Sequence, residues 1–178
     1  MVKLKSILGR LTALALVAGC VLLSGCIFMK GGYSLSGASI PEAAKTFSVA
    51  YFPNNAPMVS PTLSATLTEA LKDKFSRQTK LKQVESNGDF AFEGEIVGYT
   101  SATASVSSDN YAVLNRLTIR VKVRFTNNID PDNSFNRDFS AFADYESTKL
   151  LTEVQSELDE QIVEDIVTDI FQAAASNW

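Results

Sequence analysis

Residues 114–126 read LNRLTIRVKVRFT, and they alternate almost from end to end. On an extended backbone Leu117, Ile119, Val121, Val123 and Phe125 point one way, while Arg116, Thr118, Arg120, Lys122 and Arg124 point the other. A period of two over this length predicts a strand from Leu114 to Thr126 with one dry face and one wet face. A sheet built around it is therefore covered on one side only, as antiparallel sheets commonly are.

Working outward, Phe135 to Tyr145 is a further aromatic-rich strand, reached through a turn at Asn127 to Asn133. Upstream, Asp89 to Tyr99 carries Phe90, Phe92 and Ile96 on one face and Asp89, Glu93 and Glu95 on the other. Residues 100–110 (TSATASVSSDN) are small and polar and suit a hairpin loop or a mobile rim. Leu81 to Val84 is a short strand, and Asn87-Gly88 predicts a tight hairpin after it. Thr46 to Phe52 (TFSVAYF) reads as the first strand, broken by Pro53-Asn54-Asn55-Ala56-Pro57.

Two segments change period. Leu63, Leu67, Leu71 and Phe75 recur every four residues behind Ser60-Pro61, a serine cap and a proline at the first helical position. Glu153 to Ala175 carries the stripe Val154, Leu158, Ile162, Val163, Ile166, Val167, Ile170 and Phe171. Glu157, Asp159, Glu160, Glu164, Asp165 and Asp169 lie opposite it, as a solvated acidic face. The economical assembly is an α+β two-layer sandwich, with two helices packed on one face of a mostly antiparallel sheet in the order β-α-β-β-β-β-α.

The amino terminus has a different logic. Lys3, Lys5 and Arg10 precede an apolar run from Leu11 to Leu23, and Ser24-Gly25 sets small residues before Cys26. About 13 residues is short of the roughly 20 that a spanning helix needs. The pattern predicts a lipoprotein signal, cleaved before Cys26, whose sulfur takes a diacylglyceryl group and whose freed amine takes a further fatty acyl chain. Cys20 fits the pattern loosely, but Val21-Leu22-Leu23 continue the apolar run beyond it. The expected organisation is a signal peptide at 1–25, a lipidated N-terminus and leader at 26–45, and a single α+β domain at 46–178. Within the leader, Tyr33 and Leu35 either seat the tether on the domain or lie free in it.

Removing residues 1–25 leaves 13 basic against 20 acidic residues, a net charge of −7. That balance argues against a nucleic-acid partner. The chain contains no histidine, and lipidation of Cys26 leaves the mature protein no free thiol. The usual general base and the nitrogen and sulfur metal ligands are thus missing, and no carboxylate pair sits in a motif with a nucleophile. The expectation is a protein that is not an enzyme, with no catalytic residue, metal or cofactor.

Several segments in order carry a family resemblance: GGYSLSGASIP at 31–41, YFPNNAP at 51–57, PTLSATLTEALKDKF at 61–75, LNRLTIRVKVRFTN at 114–127, and an ending with Ile170-Phe171 and Asn177-Trp178. Together they resemble the Bacteroidetes branch of the LptE lipoproteins, over most of the mature chain. The resemblance implies an outer-membrane lipoprotein that plugs and stabilises the LptD-type β-barrel and assists lipopolysaccharide insertion into the outer leaflet. Ile27 after Cys26 is not the aspartate that signals inner-membrane retention in proteobacteria. The segment IFMK at 27–30 lacks the acidic run linked to surface export. Both point to the periplasmic face of the outer membrane. From composition and spacing alone, the alternative is a stand-alone periplasmic binding or scaffold lipoprotein of the same fold.

Two surfaces are candidates. Arg116, Arg120, Lys122 and Arg124 form a row of cations about 6.5–7 Å apart along a strand, suited to lipid A phosphates or inner-core acids. The same row also reads as a solvated face, with Glu93 and Glu95 pairing across the ladder. Phe52, Asn54 and Asn55, with Pro53, offer a turn-rich aromatic tip to a partner, or simply connect strand to helix.

Overall fold

In the computed structural model, which describes residues 40–58, 60–105 and 114–175, the alternating segment is strand β4, Leu114–Asn127. It lies between β3 (Phe90–Ser105) and β5 (Phe135–Glu146), antiparallel to both. Its register runs from Phe90↔Asn127 to Ser105↔Leu114 on one side, and from Phe125↔Phe135 to Leu114↔Glu146 on the other. Leu117, Ile119, Val121, Val123 and Phe125 are all buried, and Arg120, Lys122 and Arg124 are all exposed. Residues 100–105, expected as loop, continue β3. Pairing with β4 overrides the weak strand preference of these small residues, since strand preference depends on context.

Within β3, Ile96 faces Val121 and Gly98 faces Arg120, so Val97 is an extra residue. Such a bulge exchanges the two faces of a strand beyond it. Phe90, Phe92 and Ile96 are buried below the bulge and Tyr99 above it, although the first three positions are even and the last is odd.

β1 (Thr46–Val49) and β2 (Lys82–Gln83) complete a five-stranded sheet of order β2-β1-β3-β4-β5. β1 is parallel to both of its neighbours, so the sheet is mixed, with its long pairings antiparallel. This corrects the expected hairpin at Asn87-Gly88, because β1 lies between β2 and β3 and the connection must pass across it. Gly88 meets the β1 backbone so closely that an added Cβ would stand 2.6 Å from the Phe47 carbonyl carbon and the Ser48 nitrogen. Asn87 has φ 55°, a left-handed conformation that asparagine tolerates. Just beyond, Asp89 Oδ2 accepts hydrogen bonds from the Lys45 and Thr46 amides (2.8 and 2.9 Å) and from the Thr46 hydroxyl (2.9 Å), fixing the crossing. The Lys45 amide, followed by the two Thr46 donors, holds the Asp89 carboxyl below its ordinary range.

Helices α1 (Leu63–Gln78) and α2 (Leu151–Ala175) pack against each other and cover the dry face of the sheet. Phe75 of α1 sits where the layers meet, with its ring 5.7 Å from Phe47, 4.7 Å from Phe92 and 5.1 Å from Phe171. α1 begins later than its sequence signal. Thr62 precedes it without a side-chain cap, and the Ser60 hydroxyl expected there is buried and bonded to Asp159 of α2. α2 is capped from within, where Glu153 Oε2 accepts from the Leu150 amide at 3.1 Å. The α+β sandwich with two helices on one side, in the order β-α-β-β-β-β-α, is the fold observed.

Candidate functional site

The wet face of the sheet carries the cationic row, and its neighbours sort the row into two kinds of residue. Arg116 makes a two-pronged ion pair with Asp144 of β5, Nε to Oδ1 at 2.7 Å and Nη2 to Oδ2 at 2.9 Å. That bond keeps the Asp144 carboxyl below its usual range. The guanidinium also lies 3.7 Å from the ring centre of Phe142, an aromatic left half exposed on this face. Arg124 pairs with Glu93 of β3 at 3.5 Å, both side chains remaining about 60 % exposed.

Arg120 and Lys122 are different. Lys122 stands between Glu95 and Asp138 in the ladder, yet makes no ion pair within 4 Å among the described residues. The Glu95 carboxylate instead accepts a hydrogen bond from Asn55 Nδ2 at 2.6 Å. Arg120 stands between Gly98 and Ser140, neither of which carries charge. A Cβ added at Gly98 would come 3.6 Å from Arg120 Nε, so the absent side chain is what lets the guanidinium lie over β3. Beside Lys122 and Arg124, with Pro53, Glu93, Glu95 and Asn136, the face holds a shallow open depression of about 330 Å³. The face can therefore offer two adjacent exposed cations to an anionic group, flanked by two cations already neutralised. Sequence reasoning expected carboxylates only from β3; Asp144 lies 28 residues along the chain from Arg116, and only the β4–β5 register brings them together.

The second candidate surface needs correction. Phe52 is fully buried and its amide donates to Thr68 Oγ1 of α1 at 3.2 Å, so its ring belongs to the core. The segment does not project. Ile96 donates to Pro53 O and accepts from the Asn55 amide, both at 2.9 Å, and Asn54 bridges Ile96 in parallel, prolonging the β1 edge along β3. Asn55 stays exposed and Asn54 partly so. The large apolar side chains this segment shows to solvent are Tyr51, 63 % exposed, and Met58. The cause is that β1 ends at Val49, after which the alternation no longer predicts facing. Cys26, Tyr33 and Leu35 lie outside the described residues.

A third feature was read wrongly from the pattern. Asp159, assigned above to the acidic solvated face, is only 2 % exposed. Its Oδ2 accepts from Ser60 Oγ at 2.7 Å and its Oδ1 from the Tyr99 hydroxyl at 3.0 Å, while Gln155 Nε2 donates to that same hydroxyl at 3.0 Å. Burial raises the Asp159 carboxyl above its ordinary range despite the two donors, and burial together with Asp159 pushes the Tyr99 phenol up. The signal was present in the sequence, since Asp159 lies three and four residues before Ile162 and Val163 and is thus in phase with the apolar stripe. Its role is structural, tying α2 to β3 and to the entrance of α1.

Among the described residues no group of His, Cys, Asp or Glu could hold a metal ion, and no helix is long and apolar enough to cross a membrane. Comparison with solved structures finds several lipoproteins. A minor lipoprotein from Acinetobacter baumannii is 16 % identical, with 74 % of this chain and 94 % of that chain covered and a TM-score of 0.48. A hypothetical protein from Chlamydia trachomatis is 9 % identical, with 75 % and 99 % covered and a TM-score of 0.50, a likeness of fold alone. Lipoprotein B from Nitrosomonas europaea is 14 % identical, with 72 % and 81 % covered and a TM-score of 0.45. No curated protein matches the sequence. The decisive match is to the LptE family, described as lipopolysaccharide-assembly, over residues 44–174, a span that includes every strand and nearly all of both helices. The chain belongs to the LptE family, a non-enzymatic family of outer-membrane lipoproteins that serve lipopolysaccharide assembly.

Proposed function

We propose that this protein is anchored through acylated Cys26 on the periplasmic face of the outer membrane, where it plugs and stabilises an LptD-type β-barrel and assists lipopolysaccharide insertion. Two or more acyl chains, at roughly 0.8 kcal/mol per buried methylene, make such an anchor effectively stable. The observation that carries the reading is the family match across the whole sandwich. The bare face of the sheet supports it. Arg120 and Lys122, free of internal partners among the described residues, are the groups to meet lipid A phosphates, with Arg116 and Arg124 at the ends of the row. The exposed residues Tyr51, Asn55 and Met58 of the 51–58 segment, with half-buried Asn54 beside them, are the surface offered to the barrel.

The test is co-purification. Tagged protein extracted in mild detergent is expected to bring down an outer-membrane barrel of LptD type. Repeated recovery of no such barrel, from envelopes in which the tagged protein is folded and acylated, overturns the plug and leaves a stand-alone periplasmic scaffold.

A further inference from the structure

We infer that the depression on the open face of the sheet is built for a zwitterionic head group, a phosphate esterified by an amino alcohol such as ethanolamine, carried on the glycolipid proposed above. The inference rests on that lipopolysaccharide reading of the face and specifies which form of the phosphate the site prefers. Four charged side chains line the depression, Glu93 and Glu95 from β3 and Lys122 and Arg124 from β4, with Pro53 and Asn136 beside them. Their charges cancel. The β3–β4 register sets them as two opposed pairs, Glu95 against Lys122 and Glu93 against Arg124. Cross-strand neighbours of opposite charge ordinarily satisfy one another, yet neither pair is closed tightly here. Lys122 makes no ion pair within 4 Å among the described residues, and Arg124 reaches Glu93 at 3.5 Å with both side chains about 60 % exposed. Asn55 Nδ2 holds Oε2 of Glu95 at 2.6 Å, and Oε1 has no hydrogen-bond partner among the described residues. Asn136, opposite Arg124 on β5, is exposed and adds an amide.

A phosphate monoester fits this arrangement poorly. It takes Lys122 and Arg124, but it draws Arg124 away from Glu93 and comes to rest beside two carboxylates, with Asp138 across from Lys122 on the other side. A phosphate capped by ethanolamine carries one fewer negative charge and an ammonium a short spacer away. Its phosphate meets Lys122 and Arg124 through charge-assisted hydrogen bonds, and its ammonium meets Glu95 and Glu93. Each of the four side chains then gains a counter-charge, and none loses one. Opposed Cβ atoms across a ladder stand about 4.5–5.5 Å apart, a separation that a two-carbon spacer between phosphate and ammonium matches. Arg120 lies outside the depression, between uncharged Gly98 and Ser140, and carries no such preference.

The test titrates the full acylated chain, in a non-ionic detergent at one ionic strength, with two lipid A preparations. They differ only in whether the phosphate is a monoester or is capped by ethanolamine. The wild type is expected to bind the capped form about fivefold more tightly, the contribution of one exposed ion pair at its upper end. Glu95→Gln keeps an acceptor for Asn55 and removes the charge. It is expected to weaken binding of the capped form and tighten binding of the monoester, so that the preference disappears or reverses. A merely structural role for Glu95 would weaken both alike. Glu93→Gln is expected to act in the same direction, and it serves as the test if Glu95→Gln fails to fold. Equal affinities in the wild type, tighter binding of the monoester, or a preference that either folded variant retains overturns the proposal and leaves the lipopolysaccharide reading in place. Binding of neither form, or binding of both that survives charge reversal at Arg120 and Lys122, overturns that reading and the proposal with it.

Discussion

Replacing Gly88 by alanine separates the observed crossover from an ordinary hairpin. An alanine Cβ would stand 2.6 Å from the Phe47 carbonyl carbon and the Ser48 nitrogen, and 2.7 Å from Phe47 Cα. These are backbone atoms of a strand paired on both sides, so they cannot swing aside as a flexible side chain would. Since carbon atoms prefer separations near 3.5–4.0 Å, the connection would have to lift by about 1 Å. Lifting it strains the bonds that pin it: Gly88 N to Ser48 Oγ (3.1 Å), Asn128 Nδ2 to Gly88 O (2.8 Å), Asn128 N to Asp89 O (2.8 Å), and the three donors on Asp89 Oδ2. With each bond contributing about 0.5–1.5 kcal/mol net, losing half of them costs about 3 kcal/mol, at the upper end for forcing a methyl into a filled site. For a domain of this size that corresponds to a fall in Tm of roughly 10 °C. Asn87→Gly is the control, because it relieves the left-handed φ while loosening the unfolded chain, and the two effects nearly cancel. Urea unfolding followed by far-UV circular dichroism measures both. A loss under about 1 kcal/mol for Gly88→Ala refutes the crossing of β1.

The buried carboxylate and the cationic face give further predictions. Burial raises the Asp159 carboxyl, so the native state holds its proton more firmly than the unfolded chain. Its contribution is complete below the ordinary carboxylate pKa and is lost as pH rises through the raised native value. Urea midpoints measured from pH 3 to 8 should therefore show Asp159→Asn gaining on the wild type as pH rises, and a trend in the opposite direction contradicts the assignment. Charge reversal at Arg120 and Lys122 together should weaken lipopolysaccharide binding at least tenfold in a direct assay while co-purification with the barrel persists. Unchanged affinity would make this face an ordinary solvated one.

What could be read from the sequence was whatever depends on local periodicity. The alternation at 114–126, the four-residue recurrence from Leu63 to Phe75 and the stripe from Val154 to Phe171 each announce an element and its buried side, and all three lie where they should. What could not be read depends on placement. Asn87-Gly88 looks the same whether the chain folds back on its last strand or steps over another, and only the insertion of β1 decides between them. Phe52 lies past the end of β1, where the chain is irregular and burial passes to Phe52 while Tyr51 is exposed. Ser60 looked like a helix cap because caps are local, whereas its partner Asp159 is 99 residues away.

The same distinction governs the cationic face. A lone strand with cations at alternate positions would repel itself, and its charge would say little about a ligand. Set into the sheet, the row is edited by its neighbours. Asp144 takes Arg116 and Glu93 takes Arg124, while Asn55 engages Glu95 and Gly98 leaves open the space beside Arg120. Arg120 and Lys122 are left without an ion pair within 4 Å among the described residues, Lys122 with Glu95 and Asp138 opposite it in the ladder and Arg120 with no charged residue opposite it. Exposed pairs of this kind stabilise a fold by no more than about 1 kcal/mol, so folding alone gives little reason to pair the ends of the row and leave the middle open. The anionic ligand proposed above would give one. It gains most from cations that need not be stripped of a protein partner first, and here those lie side by side on the one face of the sheet that neither helix covers.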